Sequence, residues 1–191
     1  MNKLIAEQKK YEICYQDPEY KLGPYRRDNT LNDISDLINQ YGPFSNHLDV
    51  SAGRGEVIKH VRAFDIPSQG TEIVQELLSD DVQFAWSHEL PFEDGEFDFL
   101  TNCDAMEHYL PEMTEQILDE LFRVVDGVAY LTISNRRATK HEMELHINIK
   151  SYAEWEKILS KYGSVQTNIY GRTNPTCYSF TVITGGRKDE K

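Results

Sequence analysis

Nine residues decide the predicted fold: Leu48-Asp49-Val50-Ser51-Ala52-Gly53-Arg54-Gly55-Glu56. They run from an apolar segment of strand length, through a tight turn, into a segment of helix length. Gly53 and Gly55 let a ligand approach the backbone closely. The helix N-terminus behind them offers free N–H groups and the positive end of a dipole. A short glycine turn is weak evidence for a nucleotide site when it stands alone.

Glu72 supports that interpretation. It ends the second predicted strand and lies 72 − 55 = 17 residues beyond Gly55. An acidic side chain at this place accepts hydrogen bonds from the ribose hydroxyls of a nucleotide in doubly wound folds. The alternative is that the two glycines form a plain turn and that Glu72 is a surface carboxylate.

Apolar runs of strand length alternate with amphipathic segments of helix length from residue 30 onward. The predicted strands cover 47–50, 70–73, 82–86, 97–103 and 127–133, and the predicted helices cover 30–41, 56–64, 74–79, 111–125 and 151–162. Residues 165–170 and 178–183 are predicted to form an antiparallel β-hairpin joined by 171–175. This order predicts an α/β protein with a Rossmann-like, doubly wound, mostly parallel sheet and a C-terminal antiparallel hairpin. We expect a cap segment at 1–29, the main domain at 30–184 and a disordered tail at 185–191.

The composition predicts a single domain from the cytoplasm. The chain has 191 residues and three widely spaced cysteines, with no CxxC pair. This cysteine pattern favours reduced thiols over a disulfide framework or a structural zinc site. No apolar run is long enough for a membrane span or a secretory signal. The net charge of −12 repels polyanions, so we expect no nucleic-acid partner, although 21–27 and 136–140 hold short basic stretches.

Three linked motifs resemble those of class I S-adenosylmethionine (SAM)-dependent methyltransferases. Residues 48–56 resemble motif I, with the pattern D-x-G-x-G-x-G, and residues 90–98 resemble the LPF-x-DG-x-FD signature. Residues 102–108 resemble the D-x-x-EH segment that follows the fourth strand. The resemblance covers roughly residues 46–135 and implies the cofactor S-adenosyl-L-methionine, with methyl transfer to an oxygen or nitrogen of a small-molecule acceptor.

The same resemblance implies roles for individual residues. Glu72 binds the ribose of the cofactor. The other predicted cofactor residues lie at the amino-acid end (Asp49, Gly53, Gly55, and Ser51 in place of the first glycine of the pattern), along the adenine (Trp86 and Ser87), and beside the sulfonium (Asn102, Cys103 and Asp104). Members of the family often carry an aspartate after the third strand. Here Trp86 or Ser87 stands in that region, and Trp86 either stacks on the base or belongs to the core.

Two histidines are the candidates for acid–base chemistry. Methyl transfer is an in-line displacement, so alignment of the acceptor does much of the work, and a base is needed only where the acceptor loses a proton. His108 follows the fourth strand and His146 follows the fifth, on the ligand side of the topology. Tyr109 and Asn148 are second-rank candidates. The competing interpretations are that His108 shapes the cofactor pocket and that His146 is a loop residue.

A metal-assisted activity is the first alternative. The set Asp104, Glu107, His108 and His146 suits a divalent ion and is similar to the E-x-x-EH…H site of small-RNA 3′-end 2′-O-methyltransferases. Their basic RNA-binding equipment is missing here, and the same segment recurs without metal in many small-molecule methyltransferases. We therefore predict no metal and keep an RNA 2′-O-methyltransferase as the alternative.

Two further alternatives remain. A SAM-binding fold can serve as a non-catalytic sensor or scaffold. An NAD-dependent oxidoreductase shares the glycine turn but finds no support in residues 90–98 and 104–108.

Residues 146–155 also resemble the HLT-x-(K/R)-P-x-x-WW segment of uncharacterised bacterial and phage methyltransferases. The opening Lys10-Tyr11…Tyr15…Pro18-Glu19-Tyr20 is similar to the start of that group. With these segments the resemblance covers the whole chain. Trp155 is expected to be a core residue of an amphipathic helix. Acceptor selection is assigned to 1–29 and 136–150.

Overall fold

The computed structural model describes residues 3–21, 29–167 and 177–185. The strands are β1 His47–Val50, β2 Ser68–Glu72, β3 Val82–Phe84, β4 Phe97–Cys103, β5 Val125–Ser134, β6 Thr139–Lys140, β7 Met143–Glu144, β8 Ser164–Thr167 and β9 Cys177–Ile183. The α-helices are α1 Lys3–Gln16, α2 Pro18–Lys21, α3 Asn29–Tyr41, α4 Glu56–Arg62, α5 Thr114–Val124 and α6 Tyr152–Leu159. Short 3-10 helices cover Gln75–Leu77, Met106–His108 and Pro111–Met113.

A seven-stranded sheet in the order β3-β2-β1-β4-β5-β9-β8 forms the centre of the molecule. The strands β1 to β5 are parallel, whereas β9 pairs antiparallel with both β5 and β8. The strand order reverses between β1 and β4, and ligands of open α/β sheets bind in the crevice outside the carboxyl ends of the strands at such a point. The predicted fold class is confirmed, including the C-terminal antiparallel pair.

Helices cover both faces of the sheet because each presents one apolar stripe. Leu118 and Leu121 of α5 are fully buried in the larger core cluster, which also holds Trp155 of α6. On the other face Ile34 and Leu37 of α3 are fully buried. Burial of each such leucine contributes about 1.5–3 kcal/mol. The prediction that Trp155 is a core residue is confirmed.

The predicted element boundaries hold best where the sequence signal is local. β1 and β4 have the predicted bounds, and α6 begins behind Ser151 with the predicted capping box, in which Ser151 and Glu154 each bond the other's backbone N–H. In contrast, α4 ends at Arg62 rather than residue 64, and 74–79 forms a single 3-10 turn. β5 begins directly at Val125, where α5 ends, two residues before the prediction. The small β6–β7 hairpin was not predicted.

Some predictions fall on residues outside the described ranges. They are the loop 168–176 of the C-terminal hairpin, most of the basic stretch 21–27 and nearly all of the tail 185–191. Within the described residues, Cys14 and Cys103 are buried free thiols and Cys177 is partly exposed. No helix in that part of the chain is long and apolar enough to cross a membrane.

Candidate functional site

The glycine turn joins the end of β1 to the start of α4 through three left-handed residues. Ser51, Gly53 and Gly55 have φ values of 62°, 55° and 71°. A left-handed conformation costs a residue with a side chain roughly 1–2 kcal/mol, so Ser51 carries strain that a glycine would avoid. The Ala52 N–H donates to Thr71 O at 2.9 Å, which fixes the turn against β2.

Glu72 holds the glycine turn from below. One of its carboxylate oxygens accepts the Gly53 N–H at 3.0 Å, and the other accepts the N–H groups of Ile73 at 2.7 Å and Val74 at 3.2 Å. Burial raises the pKa of Glu72, and these three backbone donors act against that rise. The structure thus places Glu72 beside the glycine turn, at the carboxyl end of β2.

Asp49 lies at the carboxyl end of β1 and is buried. The Thr101 hydroxyl of β4 donates to its Oδ1 at 2.7 Å. Its Oδ2 is buried and has no hydrogen-bond partner among the described residues. Burial raises the pKa of Asp49 to about 7, and the charges of Glu72 and Glu56 add to the rise.

Three predicted cofactor residues from three strand ends meet at the hydroxyl of Tyr109. That hydroxyl lies 2.7 Å from Ser51 Oγ, 3.0 Å from Ser87 Oγ and 3.1 Å from the Asn102 Nδ2 donor. Asn102 also donates to Val50 O at 2.9 Å. Tyr109, expected as a second-rank catalytic residue, therefore lies among the predicted cofactor residues.

The remaining predicted cofactor residues do not reach this hub. Trp86 is partly buried and packs edge-on against Phe84 with ring centroids 5.8 Å apart. Cys103 is buried in the core cluster on the α3 side of the sheet. Asp104 has a φ of 50°, and its Oδ1 accepts the Thr132 hydroxyl at 3.0 Å.

The structure brings the two predicted catalytic histidines together. The ring centroids of His108 and His146 are 4.7 Å apart in an edge-to-face arrangement. The Glu107 carbonyl accepts the N–H groups of Ile147 at 2.9 Å and Asn148 at 3.0 Å, which clamps the loop after β7 to the turn after β4. The Asn148 side chain is used structurally, because its amide donates to Met106 O at 3.0 Å.

Hydrogen bonds to carbonyl groups define the state of both rings. His108 Nδ1 lies 3.1 Å from Leu145 O, and His146 Nδ1 lies 2.6 Å from Arg136 O. A carbonyl only accepts, so each Nδ1 carries the proton. Burial lowers the pKa of His108 to about 3, with His146 adding to the effect, and burial also lowers the pKa of His146. Each neutral ring therefore keeps a lone pair on Nε2.

Glu107 completes this cluster. Its Oε1 accepts the Ser134 N–H at 3.0 Å, and its Oε2 is buried with no hydrogen-bond partner in the described part of the chain. Burial raises the pKa of Glu107, and the Asp104 carboxylate adds to the rise. One ligand atom from each of Glu107, His108 and His146 lies within 4.8 Å of the others. Asp104, the fourth residue of the predicted metal set, is not part of this trio.

Helix α1 covers the sites of both cofactor and histidine clusters. The Tyr11 hydroxyl lies 2.8 Å from His108 Nδ1. A Cβ placed on Gly53 would lie 3.2 Å from the Tyr15 hydroxyl. Gln8 donates to Ile73 O at 2.9 Å. Sequence reasoning missed these contacts, although the spacing of four between Tyr11 and Tyr15 places both rings on one helix face.

The second basic stretch takes part in intramolecular contacts. Lys140 pairs with Asp17 at 2.7 Å and lies 3.8 Å from Glu19. These contacts attach the residues after α1 to the β6–β7 hairpin. Lys140 is therefore already paired with carboxylates within the chain.

A family model described as "Methyltransferase domain" matches residues 44–133. No curated protein matches the sequence. The matched residues include the glycine turn, Glu72, the Tyr109 hub and both β4 and β5. The match confirms the resemblance that the sequence motifs indicated.

Solved structures share the fold. A 1,6-didemethyltoxoflavin-N1-methyltransferase from Burkholderia thailandensis, solved with 1,6-didemethyltoxoflavin and S-adenosylhomocysteine, is 15% identical, with a TM-score of 0.73 over 95% of this chain and 89% of that chain. DhpI, solved as its SAH complex, is 17% identical, with a TM-score of 0.72 over 96% and 98%. A SAM-dependent methyltransferase from Archaeoglobus fulgidus is 15% identical, with a TM-score of 0.68 over 87% and 97%. Together they confirm the class I methyltransferase fold.

Proposed function

We propose that this chain, a relative of class I SAM-dependent methyltransferases, transfers a methyl group from S-adenosyl-L-methionine to an oxygen or nitrogen of a small-molecule acceptor. One observation carries the proposal. Residues from the ends of β1, β2, β3 and β4 converge around the glycine turn at the point where the strand order reverses. This is the place where open α/β sheets bind nucleotides.

The cofactor residues divide by the chemistry that they offer. Asp49 and the glycine turn, with Ser51, Gly53 and Gly55, receive the amino-acid end. The carboxylate of Glu72 accepts the ribose hydroxyls. Trp86 and Ser87 flank the adenine. The remaining predicted residues, Asn102, Cys103 and Asp104, belong to the strand end beside the sulfonium.

Aromatic and acidic groups surround this place. Bound S-adenosyl-L-methionine supplies an electrophilic methyl group on a cationic sulfonium. Electron-rich rings such as those of Tyr15 and Tyr109 attract a cation, and the carboxylates of Asp49 and Glu72 do the same. Helix α1 acts as the cap of the site and excludes water, because it contacts both the glycine turn and His108.

The histidines orient the acceptor. The Nε2 lone pairs of His108 and His146 accept hydrogen bonds from an O–H or N–H group, which directs the lone pair of the acceptor atom toward the methyl group. Alignment of this kind contributes most of the rate of an in-line displacement. The proton that the acceptor loses passes to one of these two nitrogens or to water.

Transfer of labelled methyl groups tests this proposal. The protein is incubated with methyl-tritiated S-adenosyl-L-methionine and either the small-molecule or the RNA fraction of a bacterial extract. We expect label in the small-molecule fraction and none in RNA, with Glu72→Ala as the inactive control. Label in RNA alone would favour the RNA alternative. Tight binding of S-adenosylhomocysteine without transfer to either fraction would favour a sensor or scaffold.

A metal-assisted transfer is a second candidate, favoured by the trio Glu107, His108 and His146. Three protein ligands with open positions are typical of catalytic metal sites. The fit is good, because both Nδ1–H groups bond carbonyl oxygens, an arrangement that orients metal-binding imidazoles, and because the free Glu107 oxygen faces no other donor in the described residues. A divalent ion there would supply a Lewis acid for an acceptor oxygen.

Metal content decides between the two candidates. Elemental analysis and calorimetric titration with Zn²⁺ or Co²⁺ are made on the purified protein and on Glu107→Gln, which keeps an oxygen for the Ser134 N–H. One ion per chain, weakened at least about tenfold in the variant, supports the metal-assisted reaction. No binding to the intact protein leaves the trio as an acceptor-orienting cluster.

A further inference from the structure

Four buried side chains form a continuous hydrogen-bonded row beneath the glycine turn. Ser68 Oγ lies 2.6 Å from His47 Nδ1, His47 Nε2 lies 2.9 Å from Thr101 Oγ1, and Thr101 Oγ1 lies 2.7 Å from Asp49 Oδ1. The row crosses three neighbouring strands, because His47 pairs with Ser68 on β2 and Asp49 pairs with Thr101 on β4. His47 was expected to be structural or exposed, and it is fully buried.

The row has one direction. An ionised Asp49 only accepts, so the Thr101 O–H donates to it and the Thr101 oxygen is free to accept from His47 Nε2–H. The neutral imidazole then accepts the Ser68 O–H at Nδ1. Burial lowers the pKa of His47 to about 3, which agrees with a neutral ring. Buried rows of this kind are strong when every member is satisfied.

Asp49 depends on this row for its state. The Thr101 hydroxyl is the hydrogen-bond donor that its carboxylate has in the structure, while Oδ2 has no partner within the described ranges. The Thr101 bond favours the charged form, against burial and the neighbouring acids Glu72 and Glu56. Without it, a buried carboxyl becomes neutral or turns to find another donor.

We propose that Thr101 and His47 are positioning residues that act through Asp49, holding its carboxylate ionised and oriented for the ammonium group of an amino-acid-bearing nucleoside. This inference rests on the proposed function. Its specific consequence is a preference among adenosine derivatives. Ligands that carry the ammonium group depend on the row, and ligands that lack it do not.

Calorimetric titration with two thioether nucleosides tests the inference. S-adenosylhomocysteine carries the amino-acid part, and 5′-deoxy-5′-methylthioadenosine lacks it. For Thr101→Val we expect roughly tenfold weaker binding of S-adenosylhomocysteine, the size expected when a hydrogen bond to a charged group is lost. The affinity for methylthioadenosine should change by less than about twofold.

Three controls separate positioning from general damage. Thr101→Ser keeps the hydroxyl and should keep the wild-type affinity for both ligands. Thr181→Val removes a buried threonine hydroxyl of β9 that has no hydrogen-bond partner among the described residues, and it should change neither affinity. His47→Gln keeps an N–H donor near the Nε2 position, whereas His47→Met removes it. We therefore expect selective weakening in His47→Met, a pair that also serves if Thr101→Val does not fold.

The outcomes are distinguishable. Equal weakening of both nucleosides, or equal behaviour of Thr101→Val and Thr101→Ser, would overturn the positioning role while leaving the proposed function in place. Wild-type protein that binds neither nucleoside would contradict the proposed function itself.

Discussion

The affinity for S-adenosylhomocysteine should depend on pH because of Asp49. In the free protein burial raises the pKa of this carboxyl to about 7, with Glu72 and Glu56 adding to the rise and Thr101 opposing it. Arg54 pairs with Glu56 at 2.8 Å. The ammonium group of the ligand favours the ionised carboxylate, so binding below pH 7 releases a proton. At pH 6 roughly one-tenth of the free protein carries an ionised Asp49.

The expected magnitude is therefore roughly tenfold weaker binding at pH 6 than at pH 8, with most of the change below pH 7. Isothermal titration calorimetry in two buffers of different ionisation enthalpy measures both the affinity and the number of protons released. Near pH 6 we expect up to about one proton released from this group per bound ligand.

Asp49→Asn is the matched control. It keeps the shape of the side chain and removes its titration, so the remaining pH dependence belongs to Glu72, whose pKa burial also raises, and to the ligand. Equal affinities of the wild-type protein at pH 6 and pH 8, without proton release, would refute the reasoning. So would a pH profile that Asp49→Asn leaves unchanged.

Two predictions concern stability. Gly53→Ala and Gly55→Ala should each cost about 1–2 kcal/mol in urea unfolding because both residues are left-handed, but only Gly53→Ala places a Cβ 3.2 Å from the Tyr15 hydroxyl and should raise hydrogen exchange in α1. Equal exchange in both variants would contradict the contact. Trp155→Ala should cost about 3–5 kcal/mol and Trp155→Phe much less, since the buried indole N–H has no hydrogen-bond partner in the described structure; similar losses would show that this N–H is satisfied.

The sequence predicted the sheet well where signals are local. β1 and β4 are short apolar runs bounded by polar turns, and their bounds were predicted correctly. The order of strands and helices was enough to predict the doubly wound topology, because parallel strands joined by helices allow few arrangements. Helix ends were less accurate, since α4 stops at Arg62 where the residues beyond it still fit a helical pattern.

The site was only partly predictable. Motifs located the glycine turn, Glu72 and the two histidines. The contacts of Tyr11 and Tyr15 join residues separated by 97 positions in one case, from Tyr11 to His108, and no local pattern encodes such a distance. The row from Ser68 to Asp49 was missed for the same reason, because the register of β1 against β2 and β4 brings its members together.

The most direct test of the account is calorimetric titration of the wild-type protein and of Glu72→Ala with S-adenosylhomocysteine, beside NAD as a control ligand. The account predicts that the wild-type protein binds S-adenosylhomocysteine and not NAD. It also predicts that Glu72→Ala, with its fold verified by circular dichroism, loses that binding. Absence of S-adenosylhomocysteine binding by the wild-type protein, or binding that Glu72→Ala leaves unchanged, would contradict it.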